Sequence, residues 1–305
     1  MLSNPIESLN TEQRNPRSDD LDVLSSLEIV QCMNMEDRLV APAVGECLNV
    51  IAEAIDTIAR RMESGGRLIY VGAGTSGKLG ALDAYEFPPT FGVDPSLVKS
   101  LTAGEGISGH RSPEEAEDDE SLGETDLQLL QVDANDAVVG IAASGSTPYV
   151  VGALRYARSI GCATVSLACN SNSVIGRIAA IAIEVVVGPE VLAGSTRLKA
   201  GTAQKMVLNM ISTGVMSLQG KVYRNYMVNL VPSNEKLRKR ARAIIQQLTG
   251  ADKDAAAKVY EQSGNDISTS VVMLTAGVTA EAAAEYLRQG KGRIREALRL
   301  AGAAG

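Results

Sequence analysis

Histidine is nearly absent from this chain of 305 residues: there is one, His110. A zinc site built on imidazole and thiolate ligands is not expected, and a Ser-His-Asp triad is open only if His110 serves it. Cysteine is scarce as well. Cys32, Cys47, Cys162 and Cys169 are scattered without metal-type spacing and read as reduced structural residues of a cytoplasmic protein. Basic charge is not in excess. Lys and Arg number 29 against 36 Asp and Glu, a net charge of -7 that argues against nucleic acid or an anionic membrane as partner. No apolar run approaches the roughly 20 residues of a transmembrane helix. Met1-Leu-Ser-Asn-Pro5 has neither a basic nor an apolar leader region, so no signal peptide is expected.

What is present is an alternation of short apolar runs with amphipathic ones. Residues up to about Asp20 are polar and irregular and read as an arm. Helical spacing follows over Leu24–Met33 and Val40–Met62, where Val44, Cys47, Leu48, Ile51, Ile55 and Ile58 form one stripe. Strands are predicted at Leu68–Gly72, Leu97–Thr102, Ala137–Ala142, Ala163–Leu167 and Ile181–Val187, with helices between them. One such helix should stop near Glu86, because Pro88 and Pro89 push the preceding residue out of the α region. Another opens on the capping box Ser112-Pro-Glu-Glu115 and is predicted to run to about Val132. This pattern predicts an α/β fold, a doubly wound parallel sheet covered on both faces. A long helix begins within Gly194–Lys205 and continues to about Gly220, and from Asn234 onward everything reads as short helices of a small bundle. Three regions are therefore expected: 1–60 as N-terminal arm and helices, 61–225 as the sheet domain, 226–305 as a C-terminal helical region.

Two turns carry the chemistry. Gly72-Ala-Gly-Thr-Ser-Gly77 follows the first strand and opens a helix, and Ser144-Gly-Ser-Thr147 follows the third strand and opens another. A helix N-terminus offers unpaired N–H groups and about half a positive charge, which suits a phosphate. The first turn also fits the Gly-x-Gly-x-x-Gly dinucleotide fingerprint, but the second strand ends Leu-Thr-Ala-Gly104 without the acidic residue that holds a ribose. A pair of hydroxyl-rich turns suits one compact phosphate ester better than an extended dinucleotide. The plain alternative is that glycine and serine merely make tight turns.

The two turns resemble the paired phosphate-binding loops of the sugar isomerase (SIS) domain family. Gly188-Pro-Glu-Val-Leu-Ala-Gly-Ser-Thr-Arg-Leu-Lys-Ala-Gly-Thr-Ala-Gln-Lys205 resembles the signature shared by bacterial N-acetylmuramic acid 6-phosphate etherases and the animal glucokinase regulatory protein. Asp83-Ala-Tyr-Glu-Phe-Pro-Pro-Thr90, Ala116-Glu-Asp118 and Asn234-Glu-Lys236 match the etherases in order. The resemblance implies a cytoplasmic homodimer that acts on a small sugar phosphate without metal or nucleotide cofactor. It implies Glu86 and Glu117 as catalytic residues in removal of a lactyl ether. It also implies phosphate and substrate binding by Gly74, Thr75, Ser76, Ser144, Gly145, Ser146 and Thr147. Lys199 reads equally as an anion-binding residue or as an ordinary helix charge.

The helix dipole favours Glu86, at a predicted helix end, as the acid, and Glu117, in the early turns of its helix, as the base, by about 0.3–1 kcal/mol each. Glu117 also lies in Glu114-Glu-Ala-Glu-Asp-Asp-Glu120, a run that otherwise reads as a solvated helix face. The chain departs from the family pattern at Tyr85 and Phe87, which flank Glu86 in place of Ser and Cys, and at Ser146, which stands for Arg. Those departures keep two other readings open: a non-catalytic sugar-phosphate-binding regulator on the same scaffold, and an aldose–ketose isomerase.

Overall fold

The computed structural model describes residues 9–105, 112–232 and 234–303. They divide into two compact units, one of residues up to Tyr85 with Ser96–Ser212, the other of Glu86–Pro95 with Thr213 onward.

The first unit starts with a surprise for a stretch so polar. The arm is anchored through three short 3-10 turns, Asn10–Glu12, Pro16–Ser18 and Leu21–Val23. Asn15 Nδ2 donates to the Pro189 carbonyl at 3.2 Å and Ser18 Oγ to the Val191 carbonyl at 2.8 Å. Two of its polar side chains are thus spent on backbone acceptors far along the chain, while Glu12, Gln13, Arg14 and Asp19 remain exposed. Helices α1 (Ser26–Asp37), α2 (Val40–Gly45) and α3 (Leu48–Glu63) follow. Of the expected stripe, Val44, Ile51 and Ile58 are buried, whereas Leu48 is exposed because the helix breaks before it at Cys47.

The core is then laid down in order: β1 (Leu68–Gly72), α4 (Gly74–Phe91), β2 (Val98–Thr102), α5 (Pro113–Glu117), α6 (Glu120–Leu129) and β3 (Ala137–Ile141). It continues with α7 (Pro148–Ser159), β4 (Ala163–Ala168), α8 (Val174–Ile178), β5 (Ile181–Glu184) and α9 (Lys199–Leu218). All five strands are parallel, in the order β2-β1-β3-β4-β5. Alternate residues of β1 serve opposite layers. Ile69 and Val71 join the core formed with Leu127, Tyr149, Val150 and Leu154, while Tyr70 lies against Gly80 of α4. A sheet buried on both faces has few polar positions to spare, and the central strands β1 and β3 read as unbroken apolar runs, whereas β2 and β5 at the edges carry Lys99, Ser100 and Glu184.

The capped helix was expected to be continuous to Val132, and it is not. It ends at Glu117, and Asp119 starts α6 afresh by accepting from the N–H groups of Ser121 and Leu122. An aspartate that can cap competes with helix continuation, and here the cap wins. Beyond it α6 lies backbone to backbone on α7. A Cβ on Gly152 would stand 1.8 Å from the Glu120 carbonyl oxygen, and one on Gly123 would stand 1.9 Å from that of Tyr149. Gly152→Ala should therefore force the two helices apart and lower stability by about 1–3 kcal/mol, read as the urea midpoint; an unchanged midpoint would refute the close packing.

Helix α4 also departs from expectation, running through Pro88 and Pro89 to Phe91. The prolines forgo two ladder bonds, a loss of about 3 kcal/mol in a helix interior. Phe87 and Phe91, one turn apart and both buried, recover about 0.5–1.5 kcal/mol of it beyond their own burial by packing edge to face with ring centroids 5.8 Å apart. Gly92 then closes the helix at φ +62°, donating to the Pro88 carbonyl at 2.9 Å.

Phe87 to Phe91 belong to the second unit, which continues with a hairpin, β6 (Val222–Tyr223) and β7 (Tyr226–Met227). Two-residue strands leave no periodic signal, and the sequence reading has no counterpart for them. Five helices follow at the expected places: α10 (Glu235–Thr249), α11 (Lys253–Gln262), α12 (Ile267–Ala276), α13 (Ala280–Gln289) and α14 (Ile294–Leu300). Tyr223, Ile245, Tyr260, Val272 and Leu298 lie in their common core. No single helix among the described residues is long and apolar enough to cross a membrane.

Candidate active site

In an open parallel sheet, ligands bind beyond the carboxyl ends of strands where the strand order reverses. Here that point lies between β1 and β3, the neighbours whose connections leave in opposite directions. The two hydroxyl-rich turns follow those two strands.

At the first turn the glycines have separate tasks. A Cβ on Gly72 would stand 2.7 Å from the Gly77 nitrogen, so the strand end and the helix start touch directly. Gly74 takes φ +50° and a Cβ there would meet nothing within 4 Å, which leaves open space over the turn. The first α-helical bond of α4 is Gly77 N–H to the Ala73 carbonyl. The N–H groups of Gly74, Thr75 and Ser76 precede it and have no partner within the helix. Thr75 is exposed and Ser76 is buried.

Ser76 leads to a residue that sequence reasoning did not single out. Its Oγ donates to Gln204 Oε1 at 3.0 Å, and Gln204 is 1% exposed with its Nε2 lacking a partner. The signal was in hand, since Gln204 closes the long signature stretch, but an isolated helical glutamine carries no periodicity that marks it. A second network missed in the sequence holds α4 in place. Asp83 accepts from Tyr70 Oη at 2.9 Å, from Asn209 Nδ2 at 2.8 Å and from Ser212 Oγ at 3.1 Å.

At the second turn, Ser146 N–H and Oγ both donate to Ser144 Oγ, at 3.2 and 3.3 Å. Gly145 has φ +75°, and a Cβ there would meet Ser173 Cβ at 2.4 Å, so the position accepts no side chain. Asn170 latches this turn: its Nδ2 lies 3.1 Å from the Ala143 carbonyl, 3.3 Å from that of Ser144 and 3.0 Å from Thr11 Oγ1 of the arm. Thr147 precedes α7, whose first residue is Pro148.

Glu117 reaches this turn, accepting from Thr147 Oγ1 at 3.5 Å. Burial raises its carboxyl above the ordinary value; the charges of Asp118 and Glu114 add to this, and the Thr147 hydrogen bond opposes it. The dipole argument for Glu117 is corrected here. It stands at the last residue of a five-residue helix, so no N-terminal dipole favours its ionised form. Glu86 is an exposed residue of the second unit, five positions before the end of α4 rather than at a helix terminus. His110 lies outside the described residues.

Lys199 is a further correction. Its Nζ lies 2.6 Å from Glu36 Oε2, and the two side chains are 1% and 2% exposed. Arg17 also donates to Glu36. Burial alone would raise the Glu36 carboxyl, but the hydrogen bonds from Arg17, Lys199 and Asn15, with the charge of Lys199, outweigh it and hold the group at about 2. Lys199 is a strut between α9 and α1. The start of α9 is likewise taken, since Glu190 accepts from the N–H groups of Lys199 and Ala200 at 3.0 and 2.9 Å. Lys205 is exposed. The four cysteines are free, and among the described residues no group of three or more His, Cys, Asp or Glu could hold a metal ion.

Strand order and switch point define an open doubly wound sheet, and the matching family models put the protein in the class of SIS-domain proteins. A family model for the glucokinase regulatory protein N-terminal SIS domain matches residues 50–158, and one for the SIS domain matches residues 115–213. Phosphoheptose isomerases from Neisseria gonorrhoeae and Francisella tularensis share the fold. Their TM-scores are 0.51 and 0.52 at 16% and 14% identity, over 63% and 64% of this chain and 100% of each of theirs. The N-acetylmuramic acid 6-phosphate etherase of Pectobacterium atrosepticum is 54% identical over 96% of this chain and 97% of its own. That of Geobacillus thermodenitrificans is 51% identical over 96% of this chain and 99% of its own. The chain belongs to the N-acetylmuramic acid 6-phosphate etherase family.

Proposed function

We propose that this chain cleaves the D-lactyl ether of N-acetylmuramic acid 6-phosphate, giving N-acetylglucosamine 6-phosphate and D-lactate. The observation that carries the reading is the 54% identity to an etherase over nearly the full length of both chains. The site supports it through the phosphate-sized turn at β1 and the carboxylate of Glu117 at the turn after β3.

The phosphoryl group sits on the N–H groups of Gly74, Thr75 and Ser76, with hydroxyls from Ser76 and from Ser144 to Thr147 around it. The Glu117 carboxylate takes the proton on carbon 2 of the open-chain sugar, acidified by the adjacent aldehyde. The electron pair forms the C2–C3 double bond as the C3–O bond breaks, and the departing lactate oxygen takes a proton. Water then adds across the double bond, its hydroxyl to carbon 3 and a proton to carbon 2. A base with a raised pKa holds an abstracted proton more firmly, which suits a weak carbon acid. Glu86 is the proposed proton donor on the strength of its motif alone. The reaction uses no cofactor.

The protein is further proposed to work as a homodimer in the cytoplasm. Leu27, Val30, Met35 and Leu39 expose an apolar strip of α1 and its C-terminal end, a surface suited to burial against a second copy.

The test is D-lactate release from N-acetylmuramic acid 6-phosphate, with Ser76→Ala run beside the parent. Lactate should appear, and Ser76→Ala should raise KM about two- to tenfold, the net worth of about 0.5–1.5 kcal/mol for a hydrogen bond that the hydroxyl makes to phosphate by turning from Gln204. Sugar-phosphate binding without lactate would favour the regulator reading, which Ser146 in place of Arg keeps open.

A further inference from the structure

The second unit holds a cavity that the proposed reaction does not use. Its volume is about 380 Å³, and its walls come from the end of α9, the β6–β7 hairpin and the start of α14. Three arginines line it, Arg224, Arg293 and Arg295. The guanidinium carbons of Arg224 and Arg295 lie 5.6 and 5.5 Å from the centroid of one ring, that of buried Tyr223. Arg293 is set by its Nη2, which donates to the Leu218 carbonyl at 2.8 Å, and by Gly220, where a Cβ would stand 2.7 Å from Arg293 Cγ. One acid also lines the cavity, Glu296, and it pairs with Arg299 at 3.0 Å. Neither Arg224 nor Arg295 has an ion-pair partner among the described residues.

Two independent features show that this clustering runs against the grain of the chain. Arg224 is held at φ +54° in the hairpin turn, a left-handed conformation that glycine or asparagine adopts at less cost. The charge is also unevenly divided. Residues 213–305 carry 14 Lys and Arg against 8 Asp and Glu, in a chain whose totals are 29 and 36.

We propose that this cavity binds a phosphate dianion, free or as a phosphomonoester, through the guanidinium groups of Arg224 and Arg295, with Arg293 as part of its wall. Guanidinium forks match phosphate oxygens, and the cation–π contacts with Tyr223 hold two of them beside one ring. A single carboxylate would neutralise only one of the two cations without an ion pair among the described residues, Arg224 and Arg295, whereas a dianion answers both. The cavity is within the size range of small-ligand sites, and a concave pocket fits a small anion better than an extended polymer. This assignment does not depend on the etherase reading.

Calorimetric titration of the full chain with inorganic phosphate, and separately with glucose 6-phosphate, tests it. The Arg224→Gly/Arg295→Gln variant should bind at least tenfold more weakly at one site, a site that Ser76→Ala retains. Arg224→Gly alone should weaken that site while leaving the melting temperature unchanged or higher, because glycine takes the turn conformation freely. Equal affinities for the two ligands would assign the site to free phosphate, and tighter glucose 6-phosphate to a phosphorylated metabolite; both support the proposal. Phosphate binding within twofold of the parent in the double variant would overturn it. So would a single-stranded oligonucleotide that binds through these arginines and is not displaced by phosphate.

Discussion

Glu117→Gln should abolish solvent-deuterium exchange at carbon 2 and lower kcat by about 10²–10⁴-fold, the usual contribution of a positioned general base. The substitution is nearly isosteric, and glutamine can still accept from Thr147 Oγ1, so the fold and the turn after β3 should survive. The effect therefore falls on kcat more than on KM. The pH profile offers a second check. Burial, Asp118 and Glu114 raise the Glu117 carboxyl, so the active carboxylate is lost by protonation at a higher pH than for a solvated glutamate. The acidic limb of kcat/KM should accordingly lie above the ordinary carboxylate value of about 4.3, with rate rising through it as pH rises. Exchange that persists in Glu117→Gln would remove Glu117 as the base.

Glu36→Ala should cost about 3–5 kcal/mol, because it leaves the ammonium of Lys199 buried without its partner. Against a total stability of about 5–15 kcal/mol that is a large fraction. The melting temperature should fall by about 6–15 °C. Replacing the pair together, Glu36→Leu with Lys199→Met, should recover much of the loss, since a buried ion pair is often no more stable than apolar residues of similar size. The pH dependence has a definite sign. The folded carboxyl is held at about 2, below its unfolded value, so its contribution is complete at neutral pH and is lost as pH falls toward 2. Were Lys199 a substrate ligand instead, Lys199→Met would raise KM while leaving the melting temperature untouched.

The central strands were legible as buried apolar runs bounded by glycine or polar residues, and β1 to β4 start and stop within a residue of expectation. The hydroxyl turns were legible as turns because glycine and serine between a strand and a helix mark a sharp change of chain direction. Three features misled the reading for physical reasons. Pro88 and Pro89 would stop a helix on local terms, but a buried Phe87–Phe91 contact overrides local preference. Asp119 broke a helix whose composition favoured continuity, and with that break the polarity of the Glu117 environment reversed. Lys199 looked available because its partner, Glu36, stands 163 residues away in sequence, and no pattern in a single chain announces such a pairing. Gln204 is the same case in a neutral form.

The arm has a bearing on the order of assembly. Its side chains clasp carbonyls of Pro189 and Val191, separations of 174 and 173 residues, and Thr11 meets the same Asn170 amide that ties down the turn after β3. Contacts so distant in sequence close slowly. The arm thus cannot dock until the chain about 170 residues beyond it is in place. Until then the turn after β3 lacks one of its stays, because the Asn170 amide that ties it down has not yet met Thr11.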